Sequence, residues 1–505
     1  MLSLIGAGFA EIANISTILL IFSGVVLGII FGAMPGLSAT MAIALCLPMT
    51  YGLTSIKGMA LLIGLYIGGV SGGLVSAILL RIPGTPSSVA TCFDGYPLAA
   101  RGEAGKALGV GIFFSFLGTI FGIVVLMFVA PALAKVALKF SFYEYFAVGI
   151  FSMTMMAGLI SGSIVKGLAS GALGLMLAMV GAAPIDGLPR LTLGFHELDA
   201  GFKILPLLIG LFAISEILKT SKERSAKKPI LIQNFRIKGF GFSFAEFRSQ
   251  ILNTLRSSFI GTAIGILPGI GAGTSNILAY SAAKNSSKHP EMFGTGVIDG
   301  IVASESANNA TIGGALVPLL TLGIPGDTAT ALLLGGLTIH GLNPGPLLFE
   351  KQADLVYGIF AICIIANLIM LLVEYGGIKV FARILMVPKY ILMPIIMVLC
   401  VVGAFGLNSR IFDVWAILIF GILAYVLERL EFPLTPIILG FILGPMIETN
   451  MRRGLIASKG SYLPFITSPI SACFLAISVL VIILSVIKEI RAKRTKAAKE
   501  GNVEK

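Results

Sequence analysis

Four Pro-Gly pairs interrupt the apolar stretches of this 505-residue chain: Pro35-Gly36, Pro83-Gly84, Pro268-Gly269 and Pro325-Gly326. Proline removes a backbone donor and glycine opens conformations that other residues resist, so a helix running into such a pair stops there. Residues that bind oxygen anions or hard cations follow each break. After the first come Ser38 and Thr40; after the second, Thr85, Ser87, Ser88, Thr91 and Asp94. After the third come Gly271, Gly273, Thr274, Ser275 and Asn276; after the fourth, Asp327, Thr328 and Thr330. Hydroxyls and uncovered amides suit carboxylate oxygens, whereas carbonyls, Asn and Asp suit a hard cation such as sodium. Each position taken singly also fits an ordinary helix cap or a close helix contact. Recurrence in four matching places points instead to a binding site.

A second polar feature is the island Ser304, Glu305, Ser306, Ala307, Asn308, Asn309, Ala310 and Thr311, set between apolar stretches. An ionisable or amide side chain at membrane depth is costly and marks function, unless the island is a polar loop at the membrane edge. Other candidate chemistries are weaker. His196, His289 and His340 show no ligand spacing, and no metal site is expected. The segment PGIGAGTS lacks the Gly-Lys-Ser/Thr ending of a phosphate-binding loop, and no strand precedes it. Asp94 and Asp327 would make an intramembrane aspartyl protease only if they met within a hydrogen bond of each other, and this is the alternative, enzymatic reading.

The elements that must position these residues are membrane helices. Hydrophobic residues make up 56% of the chain and charged residues 12%, with a mean hydropathy of +0.99. Soluble domains carry about a quarter charged residues, so this composition cannot form a polar shell and takes lipid as its solvent. Apolar runs near 15–31, 59–80, 108–128, 145–160, 168–181, 204–218, 296–320, 355–373, 390–402, 415–426, 435–446 and 470–487 predict an all-α, polytopic membrane protein of roughly eleven or twelve spans. The first run lacks a basic leader and cleavage site and reads as a span of the mature protein. Five scattered cysteines, with no CxxC pair, read as packing residues.

The net charge of +12 belongs to loops rather than to a nucleic-acid surface. Residues 219–256 hold nine Lys or Arg against two Glu, which reads as a basic cytoplasmic linker between a first transmembrane half, 1–218, and a second, 257–487. The tail, 488–505, is basic and expected on the same side. The halves repeat: GIIFGAMPGLSAT from Gly28 aligns with GTAIGILPGIGAG from Gly261, and Gly72-Gly73 before Pro83-Gly84 parallels Gly313-Gly314 before Pro325-Gly326. Residues 1–14 contain no Lys or Arg and one Glu, so the first half is expected to start outside and the repeats to be inverted.

Over nearly its whole length the sequence resembles the large permease subunit of the tripartite tricarboxylate transporter family. The matching blocks are GAMPGLSA with LPMTYGL, IPGTPSSVATCFDGYPLA with ARGEAGKALG, and DGLPRLTLGFHELDAG ahead of LIGLFAISEIL. They continue as LPGIGAG, FGTG, ESANNA, LTLGIPGDTATA, HGLNPGP and LGFILGPMIE, in order. The resemblance implies a secondary transporter of the inner membrane, not an enzyme, that takes up a carboxylate on a cation gradient. It implies a small four-span membrane subunit and an extracytoplasmic solute-binding protein as partners, no cofactor, and sodium or a proton as coupling ion. Carried over, the site positions are 35–40, 83–88, Asp94, 268–274, Glu305, Asn308, Asn309 and 325–328. The chain departs from the family at Arg81, where Asn is common, and at Ile67-Gly68-Gly69, where an aromatic is common.

Overall fold

A computed structural model describes residues 2–159, 163–222, 239–385, 387 and 389–503. Helices dominate it. In chain order they are α1 (Leu2–Ile12), α2 (Ile15–Ala33), α3 (Ala39–Cys46), α4 (Ser55–Leu80), α5 (Thr91–Leu98), α6 (Ala104–Ala137), α7 (Phe142–Leu159), α8 (Ile164–Ala178), α9 (Ile204–Ile209) and α10 (Ser215–Lys222). Then follow α11 (Phe244–Ile266), α12 (Gly271–Ser286), α13 (Ile298–Leu322), α14 (Thr328–Ile339), α15 (Pro346–Lys351), α16 (Ala353–Ile384), α17 (Lys389–Asn408), α18 (Ile411–Arg429), α19 (Leu434–Ala457), α20 (Leu463–Thr467) and α21 (Pro469–Val503). The β-structure among the described residues is a two-residue antiparallel pair, Gly181–Ala182 with Pro189–Arg190.

Among the described residues, eight helices or continuous helical stretches are long and apolar enough to cross a membrane, and four more apolar helices are shorter. Each of the twelve apolar runs in the sequence has most of its described residues in helix. This is an all-α, multi-pass membrane protein. Helix α13, at 25 residues, is as long as a span, and the polar island inside it lowers its hydropathy.

The chain forms two compact units, Met1–Leu138 with Leu205–Tyr425, and Lys139–Ile204 with Val426–Lys505. In the second, α19 packs on α7 and α8, and α21 on α7. Arg190 holds Glu448 there through two hydrogen bonds of 2.6 and 3.0 Å.

The first unit is built around α4 and α13. Helix α4 is buried from Gly58 to Leu80 and α13 from Gly300 to Thr321. A helix enclosed on every side must be apolar or small all round, which α4 is. Helix α13 is not, so its polar groups must find partners inside. Helix α2 packs along α4, and α11 along α13 in the same way. Helix α6 then lies against α13, and α16 against α4.

The linker expected over 219–256 has its middle, 223–238, outside the described residues. Helix α11 begins within that stretch, at Phe244, because a capping box starts it: Ser243 Oγ accepts from Glu246 N at 3.2 Å and Glu246 Oε2 from Ser243 N at 2.7 Å. Of the basic tail, Lys488 to Val503 continue α21, and 504–505 are outside the described residues.

Candidate functional site

All four Pro-Gly pairs fall between helices. Pro35-Gly36 separates α2 from α3, Pro83-Gly84 ends α4, Pro268-Gly269 separates α11 from α12, and Pro325-Gly326 separates α13 from α14. Gly36 and Gly269 take the left-handed backbone, with φ of 92° and 80°, so the two aligned breaks turn the same way. A side chain at Gly326 would meet Gly265 O at 2.5 Å and Ala315 Cα at 2.6 Å. At Gly84 it would meet Gly32 O and, at 2.6 Å, Ser76 Oγ. Gly32 and Gly265 are themselves aligned in the repeat, so the same close approach is built twice.

The breaks meet one another. Thr40 and Thr328 share a hydrogen bond of 3.1 Å, which joins the N-terminal turn of α3 to that of α14. Gly269 N donates to Gly326 O at 2.7 Å, and a Cβ on Gly271 would lie 3.0 Å from Asp327 Cβ. Gly273 faces Pro86, and Asn276 Nδ2 donates to Pro86 O at 3.1 Å. Thr274 is half-buried beside it. Asn308 Nδ2 reaches Ser87 O at 2.8 Å. Thr85 and Ser87 share a 2.6 Å hydrogen bond, and Ser88 Oγ donates to Thr85 O at 3.0 Å.

Two helix N-termini thus point into one polar region. Ser38 caps α3, accepting from Met41 N at 3.1 Å, and Asp327 caps α14, accepting from Thr330 N at 2.7 Å. First-turn amides beyond the capped ones have no partner inside the helix, and the helix dipole adds partial positive charge. Such an arrangement favours anionic groups. Arg81, the left-handed C-cap of α4 two residues before Pro83, has its guanidinium 5.7 Å from the Tyr96 ring centre on α5.

The polar island lies within α13, not in a loop, and is buried throughout. Glu305 is 0% exposed. It accepts from Thr91 Oγ1, from Ser115 Oγ at 2.9 Å, and from Asn308 and Asn309 Nδ2 at 3.1 and 3.4 Å. A carboxylate taken from water costs several kcal/mol unless such donors replace its hydration. The donors come from α5, α6 and α13, so Glu305 ties the second break to the centre of the unit.

Asp94 is turned elsewhere. Its Oδ1 accepts from Gly294, Gly296 and Val297 N at 2.9, 2.8 and 3.0 Å, and its Oδ2 from Tyr280 Oη at 2.9 Å. That commits the carboxylate to anchoring the loop ahead of α13. Asp94 and Asp327 therefore have separate partners and form no hydrogen-bonded dyad.

The model of the tripartite tricarboxylate transporter TctA family matches residues 18–439. The chain belongs to that family. It is 36% identical over 496 residues, 98% of each chain, to an uncharacterized 52.8 kDa protein in the TAR-I ttuC' 3' region of Agrobacterium vitis. A protein in the TAR-II ttuC' 3' region of the same organism is 39% identical over 234 residues, covering 46% of this chain and 97% of that one. No solved structure matches.

TctA proteins are transporter membrane subunits, not enzymes, and work in a tripartite system with other subunits. The protease alternative falls with that membership. Two buried polar residues of this TctA-family chain escape a reading by Pro-Gly breaks. Tyr66, 1% exposed on α4, donates to Asp327 Oδ2 at 2.5 Å. Glu374, 0% exposed on α16, accepts from Ser71 Oγ at 2.7 Å. Their signal was present but faint: a lone phenol in an apolar helix, and the first ionisable residue after the run 355–373.

Proposed function

We propose that this chain is the large permease subunit of a tripartite secondary transporter of the inner, cytoplasmic membrane, taking up a carboxylate on a sodium or proton gradient. An extracytoplasmic solute-binding protein delivers the substrate, and a small four-span subunit completes the membrane complex. The observation that carries this reading is the meeting of the four Pro-Gly breaks through Thr40, Thr328, Gly269, Gly326 and Pro86. Broken backbone at membrane depth is stable only where it is buried in protein or lines a wet cavity, and interrupted helices paired between repeats form substrate sites.

In this reading the N-termini of α3 and α14 receive a carboxylate group, with Ser38, Thr40 and Thr328 donating. Carbonyls at 268–273 and 325–327, with Asp327, are ligands that suit a sodium ion where sodium supplies the gradient. Glu305, Asn308 and Asn309 hold the second break, 83–88, against α13. The test is uptake of labelled citrate, malate and succinate into vesicles bearing the purified complex, with and without the binding protein, under sodium or proton gradients. Accumulation of at least one carboxylate that needs both the gradient and the binding protein is expected. Equilibration of all three at the rate of empty vesicles rejects the reading.

A further inference from the structure

We propose that Glu374 on α16 is a proton-binding site of the transport cycle, and that its proton is the coupling ion. The assignment rests on the carboxylate-uptake reading above. Ser71 supplies one hydrogen bond to Oε2, while Oε1 has no hydrogen-bond partner among the described residues. This differs from Glu305, whose two oxygens share four donors. A single neutral hydroxyl does not replace the hydration of an ionised carboxylate, whereas a proton on Oε1 forms an O–H bond and removes the charge. Releasing that proton restores the charge and requires a conformation in which water or a cation reaches Oε1.

Among the described residues no counter-ion is paired with Glu374. Helix α16 packs against α1, α2, α4, α6 and α15. Helix α2 carries no ionisable side chain. On α4, Tyr66 is bonded to Asp327 and Lys57 lies in the first turn. On α6, Lys106 is paired with Glu246 at 2.6 Å and Lys135 lies in the last turn. Glu11 of α1 sits beside Gly358, far down α16, and Glu350 and Lys351 of α15 lie beyond that same end. On α16 itself, Asp354 is in the first turn, the Tyr375 hydroxyl donates to Gly239 O, and Lys379 and Arg383 lie toward the C-terminus. Glu305, of the same sign, opposes ionisation of Glu374. Asn367, two turns before Glu374, donates to Phe116 O, next to the Ser115 that binds Glu305.

The site is mechanically linked to the breaks. Ser71 stands on α4 just before Gly72-Gly73, and α4 ends at Leu80, three residues before Pro83-Gly84. A movement of that break shifts Ser71 relative to α16, so the conformations that bind and release substrate also bind the proton differently. Differential binding to two conformations is what coupling requires.

The test uses the complex with its co-purified partner subunits in vesicles loaded with a pH-sensitive dye, and whichever of labelled citrate, malate or succinate the wild type moves. An inward gradient of one pH unit supports about tenfold accumulation per coupled proton. In Glu374→Gln that accumulation is expected to vanish, and the dye to record no substrate-linked proton entry. Exchange of external labelled for internal unlabelled carboxylate should continue, because the amide mimics the protonated group. Glu374→Asp should keep proton-linked uptake. Wild-type-like accumulation by Glu374→Gln under the pH gradient overturns the proposal. So does parallel loss of exchange and accumulation in both variants, which is what a packing role gives, and so does wild-type accumulation that follows sodium at constant pH with no dye response. Failure of the wild type to move any carboxylate instead rejects the uptake reading itself.

Discussion

Replacing Tyr66 by Phe removes one oxygen and nothing else. The ring is 1% exposed inside α4, and Phe fills the same space, so no cavity opens. What disappears is the 2.5 Å hydrogen bond to Asp327 Oδ2. Asp327 keeps its cap on Thr330 through Oδ1, so α14 still starts where it does. Losing a hydrogen bond to a buried carboxyl costs about 1–3 kcal/mol. If Asp327 acts in transport, that converts to about a 5- to 150-fold loss in the specificity constant for uptake. Expression and detergent-extracted monodispersity should stay near wild type. The assay is initial-rate uptake in vesicles for Tyr66→Phe, Asp327→Asn and the double variant. The two losses should fail to add, since both remove the same contact. Wild-type uptake by Tyr66→Phe, or fully additive losses, would refute the claim that this pair holds the site.

Further expectations follow from the same contacts. Asn308→Ala removes the donor to Ser87 O and Glu305, and should cut transport by about tenfold for each ~1.4 kcal/mol lost, with insertion near normal, as measured by uptake per folded protein. Gly326→Ala forces a methyl against Gly265 O and Ala315, an overpacking of about 1–3 kcal/mol, and should lower the thermal unfolding midpoint; Gly84→Ala should do the same at the repeated contact. Asp94→Ala releases the loop 294–297, so folded yield should drop while the surviving protein keeps its substrate KM. In a variant without its five native cysteines, single cysteines in 239–243 and near Lys488 should resist labelling from outside intact cells. An N-terminal reporter active only in the cytoplasm would reject the inverted arrangement.

The sequence made the breaks legible because proline and glycine act locally and need no tertiary knowledge. It also made legible the helices whose apolar runs face lipid or a packed core, such as α2, α4, α6 and α16. It hid α3, α5, α12 and α14, which are short because a break starts or ends them, and α11, whose first turns are polar. The island 304–311 left its own surroundings open, since a membrane-edge loop and a buried helix can share that composition; enclosure by α6 and α11 decides it. Partner choice was beyond reach as well. Asp94 and Asp327 stand after equivalent breaks, yet one anchors a loop and the other meets Tyr66. Which acceptor is already occupied depends on contacts between residues far apart in the chain, as with Glu374 and Ser71.

The most direct test of the central claim is an electron cryo-microscopy map of the complex with a transported carboxylate bound. The account predicts ligand density at the N-termini of α3 and α14, within hydrogen-bond distance of Thr40 or Thr328 and beside the Pro268-Gly269 and Pro325-Gly326 breaks. Density elsewhere in the membrane, with these four breaks packed against one another and no ligand among them, would contradict it.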